Sequence, residues 1–67
     1  MNKQEMDWKE VKEFGLPTEE ALYFSHIHGY PEIKVLEVLK DGDGKPHYLI
    51  SGQGEIDSEL IIRWSTI

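Results

Sequence analysis

The feature that most constrains this chain is the run Asp41-Gly42-Asp43-Gly44, set between two apolar stretches, Ile33 to Leu39 and His47 to Ile50. Asp and Gly tolerate the positive φ angles that a tight reversal demands, so the run reads as the turn of an antiparallel hairpin. Gly52-Gln53-Gly54 breaks the second stretch. Leu60 to Ile67 then alternates again, with Leu60, Ile62 and Trp64 on one side and Ile61, Arg63 and Ser65 on the other. Residues 31–67 therefore predict a three-stranded antiparallel meander. In its first strand, Ile33, Val35, Leu36, Val38 and Leu39 alternate with one slip, which fits either a bulge or burial on both faces. Glu55 to Glu59 reads as a loop or as a short helical turn capped by Asp57 or Ser58.

Upstream of Pro31 the pattern reads as helical. Met6, Trp8, Val11 and Phe14 fit one face of a helix from Lys3 to Phe14, with Lys3, Glu5, Lys9, Glu10 and Glu13 on the other. Gly15 and Pro17 supply its stop, and Trp8 is the expected anchor on the sheet. Thr18 followed by Glu19 and Glu20 resembles an N-cap with acidic residues in the first turn, which predicts a second short helix to about His28, ended by Gly29. Leu22 to His28 also alternates, so a strand stays open at those positions. Tyr30, preceding Pro31, is biased out of helical geometry and marks the boundary. The expected fold class is α+β, with one or two short N-terminal helices (about 3–28) packed on the three-stranded β-meander (about 31–67) in a single domain covering 1–67.

Composition narrows the chemistry. A chain of 67 residues buries only roughly 60% of the surface its unfolded form exposes, and without cysteine it has neither disulfides nor thiolate metal sites to compensate. Two Trp, two Phe and three Tyr, or a partner, must supply the stability. The 13 acidic and 7 basic side chains give a net charge of −6, spread along the chain, which opposes direct binding to nucleic acid or anionic membrane. No apolar run approaches the ~20 residues of a membrane span, and the first residues lack the apolar core of a signal peptide, so a cytoplasmic protein is expected.

No residue set has the spacing of a reactive centre. His26, His28 and His47 would converge as metal ligands only if residues 23–28 formed a strand, and no Cys completes the set. Asp41 to Gly44 departs from a calcium loop at Lys45, Pro46 and Gly52, and Gly52-Gln53-Gly54 lacks the remainder of a phosphate loop. Pairs such as Glu19 with Glu20 and Asp57 with Glu59 are neighbours on an acidic surface, and no serine lies in a nucleophile turn. No catalytic, cofactor-binding or metal residue is assigned, and the chain reads as a non-enzyme that needs no cofactor. Trp8 and Trp64 are expected in the core. Tyr23, Tyr30 and Tyr48, each able to keep its hydroxyl wet, are the interface candidates, together with Arg63, the one charge on the last strand.

Trp8-Lys9-Glu10-Val11, Leu16-Pro17 and Arg63-Trp64-Ser65 resemble a family of short, largely phage- and prophage-encoded domains of unknown function. Those chains open with Trp-x-x-Val and Leu-Pro and close on a His-Trp pair. One extra residue precedes Leu16-Pro17 here, and Arg63 stands in place of the His. The resemblance implies a mobile-element origin and transfers no catalytic residue. Together these readings lead to a protein-interaction module of phage, prophage or bacterial origin, binding a protein through a sheet face or an edge strand. One version is an acidic mimic that occupies the basic groove of a nucleic-acid-binding protein and inhibits it. The alternative is a self-assembling structural protein, a homodimer paired through the edge strand Leu60 to Ile67.

Overall fold

A computed structural model describes residues 7–67 and gathers six strands into one antiparallel sheet. The strands are β1 (Lys9–Glu10), β2 (Ala21–Ile27), β3 (Lys34–Lys40), β4 (Pro46–Ile50), β5 (Gly54–Glu55) and β6 (Ile61–Thr66). One helical turn, α1 (Val11–Phe14), follows β1, and a 3-10 turn (Ser58–Leu60) precedes β6. The order across the sheet is β1-β6-β2-β3-β4-β5.

The α+β expectation is thereby corrected. The segment read as a second helix is β2, the strand that joins β3 on one side to β6 on the other. Its alternation explains the choice, since Tyr23, Ser25 and Ile27 are buried while the residues between them are not. A short helix started by Thr18 would be marginal alone, whereas a central strand satisfies its backbone in two ladders. The first helix is likewise reduced to α1, which Gly15 closes with an N–H bond of 2.8 Å to the Val11 carbonyl. Lys9 and Glu10 instead pair with Trp64 and Arg63 of β6. The expected helical positions Lys3 to Met6 lie outside the described residues.

β3, β4 and β6 form at the three alternating stretches, but they do not make the expected meander: β6 pairs with β1 and β2 instead of β4, and Gly54–Glu55, expected in a turn and loop, pairs with β4 as β5. β3 pairs without a register shift on either side, so its slipped pattern marks two apolar faces and no bulge. The irregularity lies between β2 and β6: His26 faces Arg63 and Ile27 faces Ile61, leaving Ile62 as the extra residue. The 3-10 turn is capped by Asp57, whose carboxylate accepts the Glu59 N–H at 3.0 Å.

One face of the sheet carries the core. Tyr23, Ile27, Leu36, Val38, Tyr48, Ile50 and Ile61 are all buried, with Val11, Leu16, Ile56 and Trp64 packed around the central cluster. Ser25 is also buried, and its hydroxyl donates to the Lys34 carbonyl at 3.0 Å. The lid over this inner face is an extended strap, residues 15–19. Three aromatic side chains hold it by donating to its carbonyls: Trp64 Nε1 to Gly15 (2.9 Å), Tyr48 OH to Pro17 (2.9 Å) and Tyr23 OH to Glu19 (2.7 Å). Trp64 also meets Tyr23 edge-on, with ring centroids 5.3 Å apart.

Candidate functional site

Residues that alternate with the core positions form the opposite, outer face. The register aligns Leu22 of β2, Glu37 of β3 and Leu49 of β4 in one row, and Phe24 with Val35 in the next. Leu39 pairs with His47 beyond them. Leu22 and Leu39 are 50% and 41% exposed, and Phe24, Val35, Glu37 and Leu49 are half-buried, so this surface is apolar and open to solvent. Glu37 is flanked by these aliphatic side chains and joins none of the ion pairs among the described residues.

Charged groups border that surface at two ends. Toward β1, Arg63 Nε lies 3.0 Å from Glu10 Oε2, angled away from a hydrogen bond, and Trp8 stacks on His26 with ring centroids 4.7 Å apart. Among the described residues, His26 Nδ1 is buried there without a hydrogen-bond partner. At the other end, His47 is held between two carboxylates, with Nε2 2.9 Å from Asp41 Oδ2 and Nδ1 2.8 Å from Glu55 Oε2. An ionised carboxylate only accepts, so two such bonds require both ring nitrogens to carry protons, the imidazolium form. The Asp41 bond, then that of Glu55, raises the His47 pKa above its ordinary value. Reciprocally, His47 and the N–H groups of Lys45 and Asp43 lower the Asp41 carboxyl to about 2. This clamp ties the Asp41 turn to the β4–β5 hairpin.

Beside the clamp lies a shallow groove of about 260 Å³, lined in part by Lys45, Tyr48, Ile56 and Ser58. While both bonds to His47 hold, neither ring nitrogen is free to take a proton from a bound molecule. His28 lies exposed just past β2, its N–H bonded to the Leu60 carbonyl, and the three histidines do not meet. Among the described residues, no group of three or more His, Asp or Glu is placed to hold a metal ion. No helix there is long and apolar enough to cross a membrane.

The interface candidates divide. Tyr23 and Tyr48 are 4% and 6% exposed with their hydroxyls bonded to the strap, so neither keeps a wet hydroxyl and both belong to the core. Tyr30 stays at the surface, donating its hydroxyl to Gln53 Oε1 (2.9 Å) beneath the Lys34 ammonium, 5.2 Å from its ring. Arg63 lies on the outer face. Sequence reading missed Glu37 and its aliphatic neighbours. Their signal was the pattern Val35-x-Glu37-x-Leu39, a second apolar face within a strand whose alternation slips. No protein-family model, curated protein or solved structure matches the chain.

Proposed function

We propose that this chain is a non-enzymatic interaction module that binds a protein through the outer face of its sheet. The observation that carries the reading is the contrast between the two faces: the inner one is closed by the strap, while Leu22 and Leu39 are exposed and Phe24, Val35 and Leu49 only half-buried. Contiguous exposed apolar surface of this kind costs solubility unless a partner covers it. A face is favoured over an edge because the sheet ends in β1 and β5, strands of two residues each, too short to template another chain. β6, the strand expected to need cover, lies between β1 and β2, which weakens the case for self-assembly through that edge. The motif resemblance to phage and prophage domains supports a mobile-element setting for the partner.

The test is affinity capture from source cells of the wild-type chain beside Leu22→Ser/Leu39→Ser and Phe14→Ser. Phe14 is 62% exposed on α1, away from the outer face, and serves as the control. A stoichiometric partner should remain with the wild type and Phe14→Ser and be lost from the double variant. A partner retained by the double variant, or only further copies of the chain, would overturn the reading.

A further inference from the structure

We infer that Glu37 is the seat for a cationic side chain, an arginine or lysine on an extended partner segment laid across the outer face; this rests on that face being the binding surface. Glu37 stands at the centre of a cross. Leu22 and Leu49 are its direct cross-strand partners, and Val35 and Leu39 lie two residues away on either side along β3, so all four project with it. Glu37 is thus flanked by aliphatic residues and, as a residue, is half-buried.

Among the described residues its charge is also without an ion-pair partner. The cations that share the outer face are engaged elsewhere, Arg63 by Glu10 and His47 by Asp41 and Glu55. A cation seated on this carboxylate would be flanked by the apolar ring, which keeps water from the pair. The aliphatic walls match the stem of Lys or Arg, and a guanidinium can take both carboxylate oxygens. The net charge of −6 attracts the same partner at longer range and repels an acidic peptide or a nucleic acid.

The test is an NMR titration of the full chain with the peptide Ac-Val-Thr-Arg-Thr-Val-amide, beside the same peptide carrying neutral citrulline for arginine. Shifts should concentrate on the methyl groups of Leu22, Val35, Leu39 and Leu49. Affinity should fall at least about tenfold for the citrulline peptide and for Glu37→Gln, the scale of a lost desolvated charge pair. Glu59→Gln removes an equal charge from the exposed 3-10 turn and should change affinity by no more than about twofold, because a distant exposed charge is screened. Equal binding of both peptides at these methyls would overturn the inference and leave the outer face standing as a binding surface. Shifts confined to other residues would remove both, and no shift with either peptide would overturn the inference.

Discussion

His47 shows how much a single side chain can couple. Its two bonds join a turn residue six positions before it to a strand residue eight positions after it, so protonation of one ring links two hairpins. Because its folded pKa is raised, its contribution to stability is complete below the ordinary value of about 6.5 and is lost as pH rises through the folded value. Asp41 acts in the opposite sense: its contribution is present above the ordinary 3.8 and is lost as pH falls toward about 2. The clamp is therefore fully made between those ordinary values. Thermal unfolding followed from pH 5 to pH 9 should show a decline in the wild type that is shallower in His47→Gln, and an NMR titration should find the His47 pKa lowered by Asp41→Asn. The same pH slope in both chains would discard the clamp. The sequence identified Asp41 as a turn former and His47 as a strand residue. It did not bring in Glu55, because that contact depends on how a second hairpin folds back over β4.

Elements were legible in proportion to how local their cause is. The turn at Asp41 to Gly44 carries its own instructions: Asp41 Oδ1 accepts the N–H groups of Asp43 (2.9 Å) and Lys45 (3.0 Å), and Gly44 takes a φ of 80° that other residues resist. β1 is set by β6, distant in sequence, and β2 by β6 on one side and the neighbouring β3 on the other. Thr18, Glu19 and Glu20 send a valid helix-start signal that two ladders and three strap bonds override. The strap is where that override can be measured. Tyr48→Phe leaves the buried ring in place and removes the donor to the Pro17 carbonyl, so it should cost about 1 kcal/mol, read from the denaturant midpoint at unchanged slope. An unchanged midpoint would mean that packing alone holds residues 15–19 over the sheet.

At the scale of the whole molecule, one sheet separates two tasks. The inner face, with its tyrosines and its strap, supplies the stability that a cysteine-free chain of 67 residues has few other ways to obtain. The outer face keeps aliphatic side chains and, among the described residues, a carboxylate in no ion pair, where a self-sufficient domain would carry polar residues. Alternation in the sequence announces that a strand has two faces; which of them is covered depends on where the strap crosses, and that crossing is held by contacts to β2, β4 and β6, strands that lie far apart in the sequence. The most direct measurement is photo-crosslinking in source cells, with a benzophenone amino acid introduced at Leu22 or Leu39 of the outer face and, separately, at Phe14. Outer-face positions should give one discrete adduct with a different, basic protein, and Phe14 should give none. Adducts from Phe14 alone, or none from the outer face, would contradict the assignment of that face as the binding surface.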